Sequence, residues 1–288
     1  MLLAILLLSP AGRRGTWRVK YGGRLRLSDN TLRDHIMLQR FLCGFTFLFA
    51  FSLPVLAGEC TANSGPHRVA LLELYTSEGC SSCPPADRWL SSLAAQGFTP
   101  DRVVPLALHV DYWDYIGWQD RFAQPAFSAR QRDMVRLAGA RTVYTPQVML
   151  NGRDFRGLKQ GDLAQRLATI NQSPARASIQ LGISRQTSER IDTSVSVSAE
   201  HPENLVLYLA LYENDLSTEV RAGENSGTKL HHDYVVREWF GPMKVGTAKR
   251  QTLRLKSEWQ AAKMGVAAFV QNRDSGEVVQ AVSLGMCS

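Results

Sequence analysis

The sequence predicts an α/β domain, with a central mixed sheet flanked by helices, followed by a small antiparallel β-sandwich. Three observations carry this. From Arg68 an apolar run (Val69, Leu71, Leu72, Leu74) leads through a polar turn into a helical pattern, and a second apolar run, Val103 to Val110, follows. A strand, a helix and a strand in that order make a parallel pair. Asn151-Gly152 between Gln147–Leu150 and Asp154-Phe155 is a hairpin turn, which makes the sheet mixed. Beyond Ser173-Pro174, short alternating segments replace the helical period, as in a sandwich.

The chain of 288 residues is read in three parts: a leader over 1–57, the α/β domain over 58–174 and the sandwich over 175–288. The net charge of +7 does not belong to the folded body. Eight basic residues against two acidic ones lie in residues 1–57, which leaves the remainder close to neutral. A nucleic-acid partner is therefore not expected. From Met37 the leader has a positive start (Arg40), an apolar stretch (Phe41 to Leu53) and a small-residue site (Val55-Leu56-Ala57). This is the pattern of a signal peptide cut after Ala57, with residues 1–36 an upstream extension. The apolar stretch is shorter than the ~20 residues that span a bilayer. A periplasmic or secreted protein without stable membrane insertion is expected. Glu59 separates Gly58 from Cys60, which breaks the lipoprotein pattern.

With Cys43 lost in the signal peptide, Cys60, Cys80, Cys83 and Cys287 remain. Four cysteines in an exported chain imply disulfides, in one of three pairings. The close spacing of Cys80 and Cys83 favours Cys80–Cys83 with Cys60–Cys287.

Along the mature chain, Gly58 to His67 reads as an extended lead-in and Val69 to Tyr75 as a central strand. Cys80 and Cys83 follow, where unpaired helix N–H groups favour a thiolate. Cys80 in its polar turn is expected to be exposed and reactive, and Cys83 to lie deeper. Pro84 is expected to hold Cys83 out of helical geometry. The next helix carries Trp89, Leu90, Leu93 and Ala94 on one face, up to Gly97. In the second strand, Pro105 argues for an irregular start. Asp111 to Phe127 gathers Tyr112, Trp113, Tyr115, Trp118, Phe122 and Phe127, either as a loop packed over the core or as a wall beside the thiols. Helices are predicted over Ser128 to Ala138 and after a cap at Asp162, the latter with Leu163, Leu167 and Ile170 on one face. Strands are predicted from ASIQLGIS, IDTSVSVS, LVLYLALYE, KRQTLRLK, GVAAFVQN and VVQAVSLGM. Glu224 to Gly227 and His231-His232-Asp233 read as a polar loop, either functional or merely solvated.

The order strand, Cys-x-x-Cys, helix, strand, helix, proline, hairpin, helix resembles a thioredoxin-like fold. TSEGCSSCPPAD, HVDYWD, YTPQVMLNG and GENSGTKLHHDYVVR resemble the secreted thioredoxin-like proteins grouped as domain of unknown function 1223. The thioredoxin resemblance implies a cis Thr145-Pro146 bond lying against the cysteines. Glu73 lies seven residues before Cys80, where thioredoxins place a buried aspartate six before; one residue's shift reverses a strand side chain unless a bulge intervenes. The leading functional expectation is a thiol–disulfide oxidoreductase needing no cofactor and acting on a protein or a small thiol or disulfide. In it Cys80 attacks, Cys83 resolves, Glu73 shuttles a proton if it faces the pair, and Pro146 holds the substrate backbone beside Thr145, Tyr112 and Trp113. The alternatives are a copper-binding protein using Cys80, Cys83 and His109, or a non-catalytic binding module with a structural disulfide.

Overall fold

The computed structural model describes residues 59–288 apart from 158–159, 188, 247 and 288. The expected leader, with its cleavage site after Ala57, lies outside the described residues. β2 (Ala70–Thr76) and β3 (Val103–His109) are buried along their whole length and pair in parallel, with helix α1 (Pro84–Ser91) crossing between them. β4 (Gln147–Leu150) runs antiparallel to β2 and turns into β5 (Arg153–Asp154). The turn is the expected Asn151-Gly152, both at positive φ. A Cβ on Gly152 would stand 2.1 Å from the Gly276 carbonyl oxygen, so only glycine fits.

Alternation along β2 sorts its side chains between two layers. Leu71 and Tyr75 face the layer covered by helix α2 (Pro125–Leu137), where Phe127 and Met134 pack. Ala70, Leu72 and Leu74 face α1 and helix α3 (Gln160–Gln172), where Ala86, Leu90, Leu163 and Leu167 pack.

β3 also borders strands from the C-terminal part. β8 (Leu205–Glu213), β11 (Val235–Lys244), β13 (Met264–Asn272) and β14 (Val278–Gly285) continue the same sheet, giving eight strands in the order β14-β13-β8-β11-β3-β2-β4-β5. The seam is one parallel register, Val235 opposite Ala107, with the Ala107 N–H donating to the Tyr234 carbonyl at 2.8 Å. A separate antiparallel sheet, ordered β1 (Glu59–Asn63), β6 (Ser178–Thr187), β7 (Arg190–Ser198), β12 (Lys249–Arg254), packs Ile179, Leu181 and Ile183 against Leu207, Leu209 and Val266. The architecture is thus mixed α/β with one large mixed sheet and further antiparallel sheets. The boundary expected at 174/175 falls between α3 and β6, and strands from both sides of it share the large sheet. A short hairpin of β9 (Leu216–Glu219) and β10 (Lys229–His232) lies against α1. Among the described residues, no helix is long and apolar enough to cross a membrane.

Local expectations fail where tertiary contacts win. β3 starts regularly at Val103 despite Pro105, because β11 reaches β3 only at Ala107 and leaves that side free at Pro105. Cys83 is helical (φ −77°, ψ −40°) although Pro84 follows, since its carbonyl accepts from the Ala86 and Asp87 N–H groups and its sulfur is bonded to Cys80. Asp162 is not the cap of α3, which begins at Gln160. The lead-in is a strand, β1, paired with β6. His231-His232 belongs to a strand, β10, not to a loop.

Candidate functional site

β2 delivers the chain into the turn Ser77–Gly79, and α1 starts directly after the second cysteine. Cys80 and Cys83 form a disulfide here, with Cα atoms 5.4 Å apart. The Ser82 hydroxyl lies 3.3 Å from the Cys80 sulfur. Both cysteines are fully buried, so the expected exposure of Cys80 is not found. The cause is a cover that local sequence cannot show. The Glu224 carboxylate accepts from the Ser81 N–H at 2.9 Å. The Asn225 side-chain amide donates to the carbonyls of Glu78 (2.8 Å) and Cys80 (3.0 Å). The loop joining β9 to β10 therefore closes over the turn from one side. From another, a Cβ on Gly79 would lie 3.3 Å from the Trp113 carbonyl oxygen.

Beside the disulfide turn lies a buried group of ionisable side chains. Glu78 comes from the turn, Asp87 from α1, His109 from the end of β3, Asp120 from the segment before α2 and His232 from β10. His109 Nδ1 is 2.7 Å from Asp120 Oδ2, which also accepts the Glu78 N–H. His232 Nε2 stands 3.4 Å from Glu78 Oε1, and its Nδ1 3.8 Å from Asp87 Oδ2. The two imidazoles meet edge to face at 5.0 Å. Trp118 Nε1 donates to the other Glu78 oxygen. Burial opposes a charge on Asp87, His109 and Asp120. For Asp87 burial dominates, and its carboxyl is pushed up despite His232 and His109. Burial works against His109 and Asp120 as well, yet their mutual attraction wins, raising the imidazole and holding the carboxyl below its usual range. Among the described residues, Glu78 Oε1, Asp87 Oδ2, His109 Nε2 and both His232 ring nitrogens have no hydrogen-bond partner.

The other expected site residues divide. Trp113 Nε1 donates to Thr145 Oγ1 at 2.6 Å, which ties the cover of Gly79 to the Thr145-Pro146 turn. That peptide bond is cis, as the resemblance implies. Tyr112 donates to Gln131 Oε1 at 3.0 Å, and Pro146 borders an open hollow with Tyr144, Val148 and Phe155. Glu73 is not part of this assembly. It faces the α2 layer, where it pairs with Arg130 at 2.5 Å and accepts from Tyr75. No bulge interrupts β2 against β3, so the one-residue offset from the cysteines does reverse its face. The metal set Cys80, Cys83 and His109 is not assembled either. The cysteines are bonded to each other, and among the described residues no three or more His, Cys, Asp or Glu side chains are gathered to hold an ion. Asp87 reads in the sequence as a polar-face residue of its helix and Asp120 as one polar residue of an aromatic-rich segment, whereas His232 belongs to a polar stretch that reads equally as functional or as solvated. The available signal was the spacing of Asp87, one helical turn beyond Cys83.

Cys60 and Cys287 form the second disulfide, bridging β1 to the segment after β14.

The model of a family described as "Protein of unknown function (DUF1223)" matches residues 71–271, and the chain belongs to this family. A crystal structure of an Agrobacterium tumefaciens protein is similar, at 26% identity and a TM-score of 0.57, covering 78% of this chain and 97% of that one. A domain of an outer membrane lipoprotein of Porphyromonas gingivalis matches at 14% identity and a TM-score of 0.29, covering 39% of this chain and 88% of that domain. No curated protein matches the chain.

Proposed function

We propose that this member of the family is an exported thiol–disulfide oxidoreductase built on a thioredoxin-like arrangement, with Cys80–Cys83 as the exchanging disulfide. The carrying observation is the placement of that disulfide, between the end of β2 and the first turn of α1, with Trp113 linking its turn to Thr145 and the cis Pro146. The order β3-β2-β4-β5, with helices on both faces, supports the thioredoxin-like reading. In the proposed reaction a substrate thiolate attacks the Cys80 sulfur. The electron pair of the broken S–S bond goes to Cys83, and a second substrate thiolate then releases Cys80 and the oxidised substrate. Cys80 is assigned the attacked position because it lies in the turn ahead of α1, under loop segments, whereas α1 continues directly from Cys83. Thr145, Pro146, Tyr112 and Trp113 are the proposed substrate-side residues, and the substrate is a protein or a small thiol or disulfide.

Trapping tests this. Cys83→Ser should accumulate mixed disulfides through Cys80 when given a disulfide substrate, one substrate thiolate leaving, and Cys80→Ser should accumulate none. The opposite pattern would reverse the assignment. Trapping by neither variant would favour the second reading, a binding module with a structural disulfide, which the full burial of both sulfurs supports.

A further inference from the structure

In the cluster beside the disulfide, His232 stands between two buried carboxylates, Glu78 and Asp87, and one of these lies on the helix of Cys83. Asp87 lies four residues after Cys83 on α1, and its N–H donates to the Cys83 carbonyl at 3.1 Å. Because Cys83 is itself helical, the two side chains share one face of the helix, one turn apart. Asp87 is 5% exposed, and its Oδ2 has no hydrogen-bond partner among the described residues. Behind it His232, 1% exposed, places Nδ1 at 3.8 Å from that same oxygen. A sulfur that leaves a disulfide inside such an enclosure must either remain a buried thiolate or receive a proton. Solvent does not reach it, since Cys83 is fully buried.

We propose that Asp87, positioned by His232, supplies and removes the proton of the Cys83 sulfur during exchange; this rests on the oxidoreductase reading above. When a substrate thiolate bonds to Cys80, the Cys80–Cys83 bond breaks and its electron pair moves to Cys83. The proton on the Asp87 carboxyl passes to that sulfur, leaving a carboxylate that faces His232. In the second step another substrate thiolate takes the substrate sulfur, and Cys80, uncovered by the displaced β9–β10 loop for as long as substrate is bound, departs as a thiolate protonated from solvent. Two thiols are thereby oxidised to one disulfide as the enzyme pair is reduced to two thiols. In the opposite direction the carboxylate accepts the Cys83 proton and makes that sulfur nucleophilic. Burial, which favours the protonated form of Asp87, supports the donor role. Thr76 from the end of β2, His109 from β3, Asp120 from the segment before α2 and His232 from β10 are the groups that act on Asp87, and Glu78 faces His232 from the turn.

The experiment reduces the full chain with dithiothreitol between pH 4 and pH 10 and follows Cys80–Cys83 by thiol alkylation and mass. The same reading is made for Asp87→Asn and His232→Gln, with circular dichroism checking the fold. The wild-type rate should show a break in its pH profile beyond that of dithiothreitol itself. Asp87→Asn should lose that break and react about ten- to a hundredfold more slowly, at the low end of general acid–base effects or below. His232→Gln should move the break without removing it. A folded Asp87→Asn with the wild-type rate and profile would overturn the proton role while leaving the oxidoreductase reading in place. Should Asp87→Asn not fold, an unchanged profile in His232→Gln would overturn it equally. A wild-type disulfide that no dithiol reduces in the folded state would overturn the underlying reading, and this inference with it.

Discussion

At the scale of single residues, the buried pair His109–Asp120 makes stability depend on pH in a defined direction. The folded value of His109 is raised, so its stabilisation is complete below the unfolded imidazole value and is lost as pH rises through the folded one. The folded value of Asp120 is lowered, so its stabilisation is complete above the unfolded carboxyl value and is lost as pH falls through the folded one. Both contributions are in place between about pH 4 and pH 6.5, from the unperturbed values of the two groups. Asp87, whose value is raised, adds stability at the acid end that fades as pH rises. Urea unfolding across pH 4 to 8 should therefore find the wild type weakening above neutrality. Asp120→Asn should unfold about 3–5 kcal/mol more easily, since it leaves a buried imidazole without its partner, and its pH slope above pH 6.5 should flatten. An unchanged slope would show that the pair is not the titrating unit. The lone strand-end histidine of the sequence thus has a structural partner, and Asp120 was legible only as one polar residue in an aromatic-rich segment.

At the scale of elements, the hairpin β9–β10 supplies the loop that is bonded over the disulfide turn. Its connecting loop places Asn225, 7% exposed, on the carbonyls of Glu78 and Cys80. Asn225→Ala would leave the Glu78 carbonyl unsatisfied or let water in, a change of about 1–3 kcal/mol, while the Cys80 carbonyl keeps the Cys83 N–H. Reduction of Cys80–Cys83 by dithiothreitol should then accelerate several-fold at fixed pH, and an unchanged rate would show that the loop is not the barrier. This hairpin and β11 were the elements least legible in the sequence. β9 and β10 are four residues each, too short for alternation to register, and β10 ends in two histidines. β11 carries Arg237, Glu238 and Gly241-Pro242 and is broken by two register shifts, so its pattern of period two dissolves. The long apolar strands β2, β3, β8 and β13 and the Asn151-Gly152 hairpin were legible, because burial on both faces and a left-handed turn each leave a local mark.

At the scale of the whole molecule, the change of pattern near Ser173-Pro174 reads as a boundary between two bodies, yet the large sheet runs across it. The reason is the seam at Val235 and Ala107, a parallel contact between segments more than a hundred residues apart, which no local signal reports. One sheet thereby serves two layers of helices and one face of a sandwich, and β1, from the start of the described chain, pairs with β6 of that sandwich. Cys60–Cys287 then joins β1 to the segment after β14 over a sequence separation of 227 residues. Closing so long a loop removes unfolded-state entropy worth about 5 kcal/mol in the chain-entropy model. The double replacement Cys60→Ser with Cys287→Ser should accordingly lower the unfolding free energy by a large part of that amount. The loss should fall chiefly on the four-stranded sheet, because β1 is its edge strand and the bridge anchors that edge. Hydrogen exchange read by peptide should show faster exchange first over β1 and β6, while β2, β3 and the Cys80–Cys83 turn keep their protection until global unfolding. Uniform loss of protection over both sheets would show instead that the continuous sheet makes the chain a single cooperative unit, with the bridge stabilising all of it equally.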